Sequence, residues 1–443
     1  MIRMFIIMLR DFRNNLASAL IKILGLAISI AAVLIIWSYV IHENRYDSGI
    51  KNSNRIYRLE AQWASMPPFI GHTLNQNLSN QITAARLNFW TDVGIQVDNV
   101  PFNLTDLVFA DSTFFKVLPL DFIAGDPDEA LTLPFSLVLT ESVAKRLFST
   151  TDAIGKLVRF ENQFDFTITG IIKDCPYLHL KIDVIASIVS LEKIRSPGTL
   201  LAYDGWSYPT YLRLPDRANI AETELNIKEL LGKFKYDQGF RLRPFDEIYY
   251  SPEFENESNT KHGNLLYNRI LIAVSVFILL LAAINFINLT IANAFARSKE
   301  VSLKKLQGAS RANLVVQFMF ETVLFILLSA GLTLIFLWFF NPLLGRLTEF
   351  SVSAAQFCTL HNLIVLLSGL LIFILVTGIY PSLYISSYNI NTPGKSNYFF
   401  SGHTVIRNGL IVFQNLVSIT LICCTLIANS QFRFMNRKDL GFN

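Results

Sequence analysis

The chain has 443 residues, 52% of them hydrophobic and only 16% charged, with a net charge of +4 and a mean hydropathy of +0.39. A soluble domain carries about 25% charged residues, so this composition excludes a wholly soluble protein and points to an integral membrane protein. Between residues 42 and 265 there are 29 acidic and 22 basic residues, net −7, which leaves +11 for the remainder, a distribution that excludes a basic nucleic-acid binder.

The N-terminal residues place Ile2, Phe5, Ile6, Leu9, Phe12 and Leu16 on one helical face and gather Arg3, Arg10 and Arg13 on another. This predicts an amphipathic helix over 1–19, lying in the headgroup region of a lipid bilayer. A first span follows over 20–41, its apolar core at 23–41 long enough to cross about 30 Å of hydrocarbon. That core exceeds the roughly 7–15 residues of a signal peptide and no small-x-small cleavage site closes it, so the reading is an uncleaved anchor.

Over 42–265 the pattern becomes that of a water-soluble α+β domain. Strand-like runs at 136–139, 164–172 and 210–214 alternate with helical runs at 141–148 and 220–234, punctuated by Gly125-Asp126-Pro127 and Pro197-Gly198. His179, near Asp174 and Asp183, is expected in a solvated loop. The six histidines lack metal-ligand spacing, and four cysteines are too few for a disulfide framework, so small apolar packing is their expected role.

Further apolar runs at 270–291, 314–340, 363–384 and 410–427 can each cross a bilayer. The 296–312 loop carries Arg297, Lys299, Lys304, Lys305 and Arg311 against Glu300, net +4; the 341–362 loop is neutral and the 385–409 loop is +2. Basic loops stay inside, which places the N-terminus and the 296–312 loop in the cytoplasm and residues 42–265 outside. Phe12-Arg13-Asn14-Asn15 before span one is echoed by Ile406-Arg407-Asn408-Gly409 before span five. Residues 405–443 are therefore expected to hold a fifth span and the start of a truncated second repeat. The fold class is an α-helical transmembrane bundle with a large α+β extracytoplasmic domain between spans one and two.

The stretch from Asn285 to Ser310 leaves an apolar run and is expected to form a short basic helix, stopped by Gly308, with Ser310 capping the next helix. Its apolar positions Val301, Leu303 and Leu306 are expected to dock while Glu300, Lys304 and Lys305 position. Inside the spans, Asn285 and Asn288 share a face, where interhelical hydrogen bonding accounts for them. Glu321, about two turns into span three, must face protein or water; it is expected to reach Arg311 or a neighbouring helix, with proton relay as the alternative. Pro381 marks the exit of span four or a kink. No Gly-x-x-x-x-Gly-Lys-[Ser/Thr], His-Glu-x-x-His or Gly-x-Ser-x-Gly occurs, so no catalytic, metal or nucleotide-binding residue is read from the chain.

The run Arg297, Lys299, Glu300, Val301, Lys304, Lys305, Leu306, Gly308, Ala309 and Ser310 resembles the signature between the second and third helices of FtsX-like permease domains of MacB-type ABC transporters, with Ser302 replacing the family's Gly and Gln307 an apolar residue. The pieces Phe109-Ala110-Asp111-Ser112-Thr113-Phe114-Phe115, Val138-Leu139-Thr140-Glu141, Ala153-Ile154-Gly155-Lys156 and Ile168-Thr169-Gly170-Ile171-Ile172-Lys173-Asp174 resemble the MacB-like periplasmic core domain. The resemblance implies a core domain over 42–265 and a permease domain over 270–390, in the N-terminal half of a two-copy permease of the inner membrane. It further implies an ATPase-coupling helix at Arg297–Ser310 that contacts a cytoplasmic ABC ATPase subunit, with ATP and Mg held by that subunit and no cofactor in this chain. A periplasmic adaptor or outer-membrane component and a dimeric assembly or second permease half are implied as partners, and no nucleic acid. The rival readings are an FtsX-like regulator whose outer domain activates a periplasmic hydrolase, and a proton-driven secondary transporter.

Overall fold

The computed structural model describes residues 16–205, 207–236, 239–251, 260–348, 352, 357, 359–386 and 396–437, with the backbone alone over 294–300 and 396–407. The predicted interfacial helix falls almost wholly on residues outside this set, as do Cys358 and the last six residues. Eight helices of at least two turns are described: α1 (Leu16–Glu43), α2 (Phe69–Asn77), α3 (Glu141–Phe148), α4 (Ile220–Gly232), α5 (Leu265–Leu306), α6 (Arg311–Thr348), α7 (Leu360–Ser386) and α8 (Ser396–Arg437). The strands are β1 (Ile56–Glu60), β2 (Ser65–Met66), β3 (Thr83–Val97), β4 (Val100–Ala110), β5 (Phe122–Gly125) and β6 (Ser136–Thr140), then β7 (Leu157–Phe160), β8 (Phe164–Ile172), β9 (Val184–Ser187), β10 (Tyr208–Arg213) and β11 (Arg241–Pro244). The chain divides into two compact units, His42–Leu265 and the described residues of Met1–Ile41 with Leu266–Asn443.

In the first unit all the described strands join one sheet, ordered β11-β1-β10-β3-β4-β9-β6-β8-β5, with β2 added to β10 and β7 to β3 and β8. Most pairs are antiparallel; β4–β9 and β6–β8 are parallel. The long β3–β4 hairpin turns on Asp98 and Asn99, at φ 50° and 64°. Asp and Asn tolerate the left-handed region, and two such residues make the tight turn whose twist matches that of the strands. Helix α3 carries Glu141 in its first turn and Lys145 and Arg146 in its last, complementing the helix dipole, and buries Val143, Ala144 and Leu147. It closes an apolar core with Leu107, Phe109, Phe166 and Val184, while Phe69, Ile70 and Leu74 of α2 and Ile227 and Leu231 of α4 seal a second core over Leu59 and Leu212.

His179 is not solvated. It is fully buried, its ring between Asp47 and the hydroxyl of Tyr211 on β10. The aspartates close to it in sequence are not its partners; the groups that bond the ring come from 132 and 32 residues away.

Among the described residues, the second unit holds five helices long and apolar enough to cross a membrane, over Leu16–Glu43, Leu265–Asn293, Arg311–Arg346, Leu360–Ser386 and Asn408–Arg437. Phe286 of α5 and Phe325 and Ile326 of α6 pack on Ala19, Ile23 and Leu26 of α1. The Thr333 hydroxyl of α6 donates to the Ala27 carbonyl of α1 (3.0 Å). Helices α6 and α7 approach closely at Gly378, where a Cβ would meet Met319 Sδ at 2.7 Å; small residues let transmembrane backbones close up in this way.

Three expectations are corrected here. The basic stretch is not a separate short helix: α5 runs unbroken from Leu265 to Leu306 because neither Gly nor Pro interrupts it before Gly308. Pro381 does not end span four, since α7 continues to Ser386 with Pro381 buried against its neighbours. Cys423 and Cys424 are exposed on α8 rather than packed, because this helix meets little else among the described residues.

Candidate functional site

The distal end of α5 is built by its length. At 1.5 Å per residue its 42 residues extend about 63 Å, roughly twice the hydrocarbon thickness, so the turns beyond Asn293 project past the apolar span as a rod. A cap closes the rod: the Ala309 N–H donates to the Lys304 carbonyl (3.0 Å) and the Gly308 N–H to the Lys305 carbonyl (3.0 Å). Gly308 sits at φ +90°, a conformation that only glycine adopts without strain. Ser310 then opens α6, its hydroxyl accepting the Asn313 N–H (3.2 Å) while its carbonyl accepts the Leu314 N–H (3.3 Å).

Two faces of the rod differ. Val301 is buried, packed with Leu314 and Phe318 of α6 and Ile385 of α7. Lys304 Nζ donates to Gln317 Oε1 (3.3 Å), which with the Val301 packing seats the rod on α6 and α7, and Arg311 Nε of α6 donates to Ser386 Oγ of α7 (3.4 Å). Leu303 and Leu306, by contrast, are 60% and 73% exposed. The expected docking face is therefore corrected: Val301 serves the chain itself, and Leu303 with Leu306 forms the outward apolar pair. Partial burial, then the Arg311 guanidinium, holds Lys305 below the usual lysine range. The side chains of Arg297, Lys299 and Glu300 lie outside the described residues; their backbone is helical.

Deeper in the bundle, four helices converge on one small cavity. Lys22 of α1, Phe286, Thr290 and Asn293 of α5, Glu321 and Thr322 of α6, and Ser382 of α7 are among its lining residues. It has room for about one water molecule. Lys22 is 6% exposed and its ammonium lies over the Phe286 and Phe325 rings, at 5.4 and 5.3 Å. Glu321 thus faces a neighbouring helix and shares its cavity with Lys22, while Arg311 bonds Ser386.

The amides expected to link helices behave differently. Asn288 Oδ1 is buried without a hydrogen-bond partner among the described residues, and Asn285 lies against Gly25, its Nδ2 3.5 Å from where a Cβ would stand. The amide link between helices is made instead by Asn293, whose Nδ2 donates to Ser18 Oγ (2.7 Å). Its place further along α5 brings the amide to the start of α1, where a hydroxyl is in reach. Lys22 and Asn293 were legible only as a charge at the edge of an apolar run and an amide five residues beyond Asn288.

Residues 19–230 match the family model of the MacB-like periplasmic core domain, and residues 272–390 match that of the FtsX-like permease C-terminal domain. Among curated proteins, the macrolide export ATP-binding/permease protein MacB of Neisseria gonorrhoeae is 25% identical over 235 residues, 50% of this chain and 34% of that protein. The protein of the same name from Aggregatibacter actinomycetemcomitans is 27% identical over 206 residues, 45% of this chain and 29% of the relative. The chain thus spans about a third of the length of the curated relatives it matches. Among solved structures, a domain of a putative permease protein from Porphyromonas gingivalis aligns at a TM-score of 0.39 and 18% identity, covering 51% of this chain and 100% of that one. The periplasmic region of MacB from Actinobacillus actinomycetemcomitans aligns at 0.35 and 16%, covering 44% and 91%.

Proposed function

Because the chain joins a MacB-like periplasmic core domain to an FtsX-like permease domain, and so belongs to the permeases of that type, we propose that it is the membrane subunit of an ABC transporter driven by a separate cytoplasmic ATPase. In this reading the partner holds ATP and Mg, and this chain supplies no catalytic group. Its spans sit in the inner membrane, the α1 start and the α5 tip on the cytoplasmic side and His42–Leu265 in the periplasm. Closure of the ATPase tilts α5 and α6, and the motion reaches the outer domain without cargo passing between the spans. Export or extrusion from the periplasm follows, with a second permease half or second copy completing the assembly and an adaptor or outer-membrane component as a further partner.

The observation that carries this reading is the unbroken α5, which starts where the outer domain ends in sequence and runs through the apolar span to a charged tip. A helix transmits displacement along its axis because every turn is hydrogen-bonded to the next. Val301 and Lys304 brace the tip on α6, so a push there is carried by two helices at once. The outward Leu303 and Leu306, flanked by Lys304 and Lys305, offer an apolar contact with basic borders.

The test uses the ATPase that co-purifies with the tagged chain, reconstituted with it in vesicles. Lys304→Glu combined with Lys305→Glu is expected to abolish stimulation of ATP hydrolysis while membrane insertion stays normal. Stimulation equal to wild type overturns the reading, as does the failure of any ATPase to co-purify.

A further inference from the structure

The outer domain is threaded into the chain at two points: residues following α1 bring the chain in, and residues preceding α5 take it out. Two buried residues each touch both of these connecting segments, through side chain and backbone together. His179 is the first. Asp47, on the incoming segment, accepts the His179 backbone N–H at Oδ1 (3.0 Å) and faces its ring Nδ1 at Oδ2 (2.8 Å). Lys261, on the outgoing segment, donates its N–H to the His179 carbonyl (2.6 Å), beside the bridge between Leu180 and Thr260. Tyr249 is the second. Its ring stacks on Tyr46 at 4.1 Å with 6° between planes, and its hydroxyl donates to Glu43 Oε2 (2.9 Å), both on the incoming side. On the outgoing side its carbonyl accepts the Gly263 N–H (2.9 Å), and a Cβ at Gly263 would crowd the ring at Cε1.

These contacts are built rather than incidental. Asp47, His179 and Tyr211 are each within 1% of complete burial, and Tyr249 is 4% exposed. Asp47 holds a left-handed backbone at φ 62°, which aspartate tolerates, while its own N–H donates to the Tyr177 carbonyl (2.7 Å). His179 Nε2 lies 2.8 Å from the hydroxyl of Tyr211, on β10, which pairs with β1 and β3 within the sheet. Burial, then the neighbouring Glu43 carboxylate, raises the Tyr249 phenol far above its usual range, so it remains a proton donor to Glu43.

We propose that His179 and Tyr249 form a two-point clamp that binds the incoming and outgoing segments into one rigid root and ties that root, through Tyr211, to the sheet. Movement of either segment then carries the other and the sheet with it. Buried hydrogen bonds resist separation because a polar group left unpaired there forfeits its full desolvation cost. The purpose of the clamp rests on the transmission reading above, but its existence does not require the ATPase.

The test is hydrogen–deuterium exchange of the full-length chain in nanodiscs, with no partner present. Tyr211→Phe, which deletes one hydroxyl, and Gly263→Ala, which crowds Tyr249, are compared with wild type. Each is expected to speed exchange about tenfold in both segments, 43–50 and 260–265, while the β3–β4 hairpin keeps its protection. Faster exchange confined to one segment, no change in either, or equal loss throughout the sheet overturns the clamp. Failed ATPase stimulation with the expected exchange behaviour would count against the transporter reading alone.

Discussion

Lys22 is the residue whose position in the fold most changes what the bundle can be. A lysine near the start of a span ordinarily turns its ammonium outward to the interface. Here it is turned inward, over two phenylalanine rings and into the cavity that also receives Glu321. Glu321 is the one carboxylate among the described residues that line that cavity. Neutralising it removes a negative charge from the cavity that holds the ammonium, whereas neutralising both removes the buried positive charge as well; a buried charge that loses a nearby opposite charge costs far more than no charge at all. Glu321→Gln is therefore expected to lower the detergent-solubilised Tm clearly, by several degrees for a loss of about 3 kcal/mol. Lys22→Met added to it is expected to recover most of the loss. A double variant no more stable than Glu321→Gln would sink the account, and thermal unfolding monitored by tryptophan fluorescence decides it.

At the scale of elements, the end of α5 is set by one residue. Gly308 allows the left-handed cap that turns the chain from α5 into α6 within four residues. Alanine there costs about 1 kcal/mol, while asparagine visits the same region more readily. Gly308→Ala is expected to fray the last turn of α5, raising amide exchange over 304–309 about fivefold. Gly308→Asn is expected to stay closer to wild type. If both substitutions leave exchange unchanged, the cap does not hold the tip. The same periodicity that marks Val301, Leu303 and Leu306 as apolar could not say which of them faces the neighbouring helices. That was decided by where α6 and α7 lie: Leu314, Phe318 and Ile385 reach Val301, and the other two remain outward.

At the scale of the molecule, the unit His42–Leu265 has its own sheet and its own cores, with helices α2, α3 and α4 sealing them. A unit of this size, with its apolar surface buried internally, is expected to fold when expressed alone as residues 42–265. Circular dichroism and a single cooperative thermal transition would establish it; an unfolded spectrum would show that the membrane helices are needed to complete it. A domain with its own cores can be moved as a body, which is what the transporter reading asks of it.

From sequence alone came the five apolar spans, the inserted α+β domain, the Gly308 stop and the Ser310 cap, because each depends on neighbours a few residues away or on the period of a single element. The burial of His179 between Asp47 and Tyr211, the inward turn of Lys22, the Asn293–Ser18 link and the two faces of the α5 tip were settled only in three dimensions. Each joins residues far apart along the chain, and the energy of such a contact depends on which surfaces the packing brings together. No local pattern of charge or hydropathy carries that information.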